Sequence, residues 1–141
     1  MSFDIDQILA GAEEPFEVVV GKREDGSPVG FRVLGAGSRP YAAAERAVRL
    51  ADVREAASRR EEPAEDLATE AGAQRVVERT DRRRDLVLAA CVIDWFGFTR
   101  GGSQEPAPFD RDAAARVLAA RPAWREKIFA AIEAEEDFAQ G

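Results

Sequence analysis

Residues 85–109, DLVLAACVIDWFGFTRGGSQEPAPF, limit the fold more than any other segment. They hold the densest apolar run, one of the two tryptophans, three of the eight phenylalanines and the only cysteine. Residues 86–93 are apolar at nearly every position, so a helix here has no face to offer water and is expected to be buried all round. The run is far too short to span a bilayer. Trp95-Phe96-Gly97 closes it, the polar loop Arg100-Gly101-Gly102-Ser103 follows, and Pro108-Phe109 leads into another helical segment. The pattern predicts a long core helix that runs to about Trp95 and stops at Gly97, with a small helical pair folding back around its aromatic end.

The flanking segments supply what that core needs. Asp4 can cap a short helix over residues 4–11, with Ile5, Ile8 and Leu9 on one face and Gly11 as its stop. Phe16, Val18 and Val20 then alternate with their neighbours, as do Phe31, Val33 and Gly35, which is the period of a strand. Asp25-Gly26 and Pro28 lie between them and mark a turn, so the two runs read as a β-hairpin. A hairpin alone is marginal in water, so its apolar face is expected to pack on helices. Gly35-Ala36-Gly37 lacks both the dinucleotide glycine fingerprint and the Lys-Ser/Thr pair of a phosphate loop, and reads as an exit from the strand.

Ser38 is an N-cap and Pro40 sits in the first turn of a helix running to about residue 60. Tyr41, Ala44, Ala47, Val48 and Ala51 form its stripe, while Leu50 and Val53 lie off it. Residues 61–65, with Pro63, are the clearest break. An antiparallel partner helix is expected from near Asp66 or Thr69 to about Trp95. Inside it, residues 78–85 read ERTDRRRD. Arg79, Arg82, Arg83 and Arg84 could form an anion patch or meet acids on a protein partner. The interleaved Glu78, Asp81 and Asp85 favour a solvated helix face with local ion pairs. Beyond the loop, Asp110 is an N-cap with Phe109 packing back on the first turn. Arg121-Pro122 separates two helices, and Pro122 opens the second. The last helix carries Trp124, Ile128 and Ile132 inward and ends on acids, so its terminal turn should fray unless Phe138 docks.

The predicted fold is therefore α+β: an N-terminal β-hairpin packed on a mainly α-helical bundle, with two long helices and a C-terminal helical pair. Its 141 residues suit a single domain, parsed as 1–37, 38–97 and 98–141.

Chemistry is sparse. There is no histidine, which removes the commonest general base and metal ligand together. One cysteine allows no internal disulfide, and Cys91 within an apolar run reads as a buried, inert thiol that fits a reducing compartment. Asp94 beside Trp95 could be a carboxyl with a raised pKa, but no second catalytic group accompanies it, and an aspartate facing water at the helix end is the commoner arrangement. Catalytic, metal and cofactor sites are not expected. A net charge of −7 argues against a general nucleic-acid binder. The start of the chain has neither the basic nor the apolar region of a signal peptide, and a soluble protein is expected.

Taken in order, Val92-Ile93-Asp94-Trp95-Phe96-Gly97, the glycine loop, Pro108-Phe109-Asp110, Ala120-Arg121-Pro122 and the acidic end with Phe138 resemble the tail assembly chaperones of long-tailed, siphovirus-type bacteriophages and related prophages. The resemblance covers residues 85–138, and the hairpin with its charged middle fits more loosely. The chain departs from the family pattern in its richness in Ala and Arg, and in Phe96 between Trp95 and Gly97. In that family Trp95, Gly97, Pro108, Phe109, Asp110, Pro122 and Phe138 would be structural motif positions.

The resemblance implies a binding protein and no enzyme. Such chaperones bind the tape measure protein, a very long helical chain that sets tail length, and keep it soluble in the host cytoplasm until the tail tube forms around it. They are absent from the mature virion. A frameshifted longer form recruits the tail tube protein in many phages, and this chain would correspond to the short form. Self-association into a ring or spiral would suit a coat on a long helix. Phe96 and Phe98 near the loop, with Arg79 and Arg83, are the candidate partner contacts. Against that, Trp95, Phe96, Phe98, Phe109 and Trp124 also suit a C-terminal core, the usual meaning of such a cluster. Two other readings stay open: a structural tail or head–tail connector protein, and a small helical regulatory or antitoxin-like protein.

Overall fold

The computed structural model describes residues 3–58 and 69–140, with side chains as far as residue 134. Its architecture is α+β. Helix α1 (Ile5–Ala12) precedes strands β1 (Phe16–Lys22) and β2 (Pro28–Val33). Two long helices follow, α2 (Arg39–Ser58) and α3 (Glu70–Cys91), then strand β3 (Val92–Phe96) and helices α4 (Arg111–Ala120) and α5 (Pro122–Gln140). The expected break at residues 61–65 and the docking of Phe138 lie outside the described residues and side chains.

The hairpin forms as the alternation requires. β1 and β2 pair antiparallel from Phe16 opposite Val33 to Lys22 opposite Pro28, with a bulge between Val19 and Gly21. The turn closes through Arg23 N–H to Ser27 C=O at 2.8 Å. Asp25 braces it by accepting from the Ser27 amide at 2.9 Å and hydroxyl at 2.5 Å. Those bonds, the hydroxyl first, hold the Asp25 carboxyl below its ordinary pKa.

One expectation is overturned. The long helix does not reach Trp95. α3 ends at Cys91, Val92 turns to extended backbone (φ −81°, ψ 110°), and residues 92–96 form β3, paired antiparallel with β2. The sheet order is β1-β2-β3, so β2 is central. Two physical causes converge. Val92, Ile93, Trp95 and Phe96 are β-branched or aromatic and suit a pleated surface. The second edge of β2 also carries backbone donors and acceptors that β3 satisfies where solvent does not reach Phe31 and Val33, both 0% exposed. Gly97 accordingly ends a strand and not a helix. Its φ of +86° is left-handed, and a Cβ there would lie 2.6 Å from the Pro28 carbonyl oxygen.

The same register corrects Asp94. It sits opposite Arg32, whose Nη1 is 3.8 Å from Asp94 Oδ2 and whose Nε bonds Glu17 at 3.3 Å. The residue belongs to an exposed cross-strand charge trio, neither a helix end nor an isolated buried acid.

Around the sheet, the caps are largely those the sequence predicts. Thr69 accepts from Gly72 N–H at 3.0 Å and starts α3, Asp110 accepts from Asp112 N–H at 3.0 Å and starts α4, and Asp4 caps α1. Ser38 is buried at the head of α2 and its hydroxyl donates to Gly35 C=O at 2.7 Å. Two backbone bonds lock the strand exit onto the helices: Leu34 N–H to Cys91 C=O at 2.9 Å and Ala36 N–H to Ile132 C=O at 3.1 Å. The core gathers Phe31 and Val33 from β2, Val87 and Cys91 from α3, Leu118 from α4, and Ile128 and Ile132 from α5. Residues 86–93 are not buried all round, because Ala89 is exposed. Helix α1 has its apolar face where expected, but none of its residues is buried, and Ile5 is 72% exposed.

Candidate partner-binding cleft

Three arrangements concentrate the polar and aromatic side chains. The first is a charged junction of α2, α3 and α5. Tyr41 donates to Glu133 Oε2 at 2.7 Å, and Arg83 Nη2 donates to Tyr41 Oη at 3.0 Å and to Glu133 Oε1 at 2.7 Å. Glu45 Oε1 is also 2.7 Å from that nitrogen. An Nη carries two hydrogens, both committed, so Glu45 is held by charge without a hydrogen bond. Burial works against the Arg83 charge, yet the bond to and charge of Glu133, then Glu45, outweigh it and raise the guanidinium pKa. Tyr41 is also raised, first by burial and then by the neighbouring Glu133. At neutral pH the phenol thus stays neutral and the guanidinium charged.

Among the described residues, the ion pairs of ERTDRRRD run between helices. Arg79 and Arg82 each lie 3.6 Å from Glu55 on α2. Arg84 pairs with Glu126, and Asp85 accepts from Arg125 at 2.5 Å, both on α5. Arg83 and Arg84 also lie over the Phe129 ring, 5.4 and 5.3 Å from its centroid. The sequence could not show this, because an i,i+4 rule sees only one helix. α3 lies between α2 and α5, and its arginines reach both.

The second arrangement is aromatic. Phe98 packs on Phe31 (5.2 Å between centroids), Trp95 (5.1 Å) and Trp124 (6.2 Å), and Phe109 meets Trp95 edge-on at 5.5 Å. Trp95 Nε1 donates to Ala107 C=O at 2.8 Å, which ties β3 to the loop before α4. Phe96 projects toward Gly30, where a Cβ would be 2.8 Å from its ring. Pro108 is exposed beside this cluster, and Pro122 is the first residue of α5. The candidate contacts therefore fall into three separate environments. Phe98 belongs to the aromatic cluster and Phe96 to the other face of the sheet over Gly30, while Arg79 and Arg83 belong to the interhelical ion pairs.

The third arrangement is a cleft of about 1100 Å³ between α3 and α4. Leu86, Leu88, Ala89 and Val92 form one wall, and Ala115, Leu118 and Ala119 another. Its charged rim is made by Glu78, Asp81, Arg82 and Asp85 of α3, Arg111 and Asp112 of α4 and Arg125 of α5. The alanine-rich sequence of α4 explains the opening, since short side chains leave space beside a wall of leucines. Ala89 is exposed because it faces this space, and its carbonyl accepts from Arg111 Nη1 at 2.7 Å. Sequence reading did not assemble these residues. The signal was present as Asp85 and Ala89 on α3 and Ala115 and Ala119 on α4, each pair at i,i+4 spacing, but which faces meet is a tertiary fact.

Cys91 is fully buried at the junction of α3 and β3. Burial pushes its thiol pKa up to about 11, with a weak opposite pull from Ser38. Among the described residues, no group of three His, Cys, Asp or Glu side chains could hold a metal ion, and no helix is long and apolar enough to cross a membrane. Compared with protein-family models, curated proteins and solved structures, the chain matches none.

Proposed function

We infer that this protein is a tail assembly chaperone of a siphovirus-type phage, a non-enzymatic holdase for the tape measure protein. The observation that carries the reading is the open cleft with an apolar floor and a charged rim, the form of surface that receives an amphipathic helix. It occurs in a chain whose residues 85–138 resemble that family. A two-turn helix of about 10 Å diameter and about 11 Å length occupies roughly 850 Å³, which the cleft volume accommodates. The same reading puts the protein in the host cytoplasm during assembly and outside the finished particle, with the tail tube protein engaged through a longer form.

Co-expression with the tape measure protein of the same genome tests it. The expected result is a soluble tape measure that co-purifies with this chain. A tape measure that is equally insoluble with and without it, with no complex formed, removes the reading.

A further inference from the structure

We propose that the α3–α4 cleft selects a basic amphipathic helix, one with Lys or Arg flanking its apolar stripe. The proposal rests on the chaperone reading for the kind of partner, and on the rim for its charge.

The rim holds four carboxylates and three guanidiniums, but they are not equally available. Two guanidiniums face acids of the molecule itself, and the third, Arg111, keeps its charge while donating one N–H to a neutral carbonyl. Arg82 faces Glu55 at 3.6 Å, Arg111 donates to the Ala89 carbonyl, and Arg125 donates to Asp85. That last bond also occupies Asp85. Of the remaining acids, Glu78 accepts, among the described residues, only from the neutral amide of Gln74 at 3.2 Å. The carboxylates of Asp81 and Asp112 have no partner among the described residues, and both side chains are exposed. Asp81 belongs to α3 and Asp112 to α4, so the two carboxylates come from the two helices that line the cleft, beside its apolar floor. Charge beside the apolar stripe then decides which helix enters: Glu78, Asp81 and Asp112 face no cation of the chain among the described residues, against the single guanidinium of Arg111 that faces no acid, so cations are favoured over anions.

A second copy of the chain is the less complete occupant. Its α2 does carry exposed Leu50 and Val53 beside Arg46, Arg49 and Arg54. Those two apolar groups span about 4.5 Å of helix, while the floor from Leu86 to Val92 spans about 9 Å.

The test uses the full chain and two labelled 18-residue helical peptides with the same Leu/Ala face. One has Lys and Arg on its flanks and the other has Glu. Fluorescence anisotropy should show the basic peptide binding about tenfold or more tightly. The double variant Asp81→Lys/Asp112→Lys should invert that preference. Both sites are exposed and unpartnered, so the fold should persist, which circular dichroism checks. Ala115→Glu, on the floor, should weaken both peptides. Equal binding of the two peptides, no binding of either, or a preference that survives the double reversal overturns the proposal. So does self-association of the wild type that the double reversal abolishes, which would assign the cleft to a second copy. The cleft and the chaperone reading separate cleanly. A double variant that still keeps the tape measure soluble removes the cleft assignment alone. An inverted peptide preference with a tape measure that the wild type leaves insoluble removes the chaperone reading alone.

Discussion

Gly97 shows how much one residue can decide. It ends β3 at φ +86°, against the Pro28 carbonyl and the Val29 side chain. Gly97→Ala adds both a left-handed penalty and a backbone clash, and should cost about 2 kcal/mol or more. Urea denaturation measures it, and a loss under about 0.5 kcal/mol would mean the turn relaxes freely. Cys91 makes a prediction about pH. Its folded pKa is raised above the ordinary 9.0 to about 11, so the folded state holds the thiol proton more tightly. That contribution is fully present below about pH 9 and is lost as pH climbs through about 11. Stability measured across pH 8 to 11 should therefore fall more steeply for the wild type than for Cys91→Ala. Thiol reagents at pH 8 should label Cys91 only after unfolding.

Interhelical ion pairs act at the level of elements. Arg83 joins α3 to α2 through Tyr41 and Glu45, and to α5 through Glu133, with side chains about one-third exposed. Arg83→Met leaves two carboxylates facing each other and should cost about 1–3 kcal/mol. In a double-mutant cycle with Glu133→Gln the coupling should be about 1 kcal/mol, reduced by the partial exposure. Additive single effects would show that the junction is ornamental. The Arg32 trio on the sheet is a useful contrast. Its side chains are about half exposed, and Arg32→Ala should cost less than about 1 kcal/mol, falling further at high salt. The two sites differ in desolvation, not in the count of charges.

At the scale of the whole molecule, the sheet and the α3–α5 contacts build a scaffold, and α4 stands off to leave the cleft. Phe31, Val33, Ile128 and Ile132 hold the scaffold together with no exposed surface. The chaperone reading makes one statement about the intact system. Mass spectrometry of mature particles should find the tape measure and tail tube proteins and not this chain. Its recovery at structural stoichiometry would make it a tail or connector component.

Most local structure was legible from residues alone. The Phe16/Val18 and Phe31/Val33 alternation, the Asp25-Gly26 turn, the Asp4 and Asp110 caps and Pro122 each act within one turn or one hairpin, so neighbours in sequence suffice to specify them. Residues 92–96 were not legible in the same way. Their apolar run fits a buried helix or a buried strand equally, and only the vacant edge of β2 settles the choice. The arginines of α3 were visible, but not that they reach across to Glu55, Glu133 and Glu126. The cleft needed more still, because a groove is a relation between two helix faces. Sequence determines which faces are apolar through local periodicity. The packing of α3, α4 and α5 decides which of them meet and which are left open, because that depends on contacts between residues far apart in the chain.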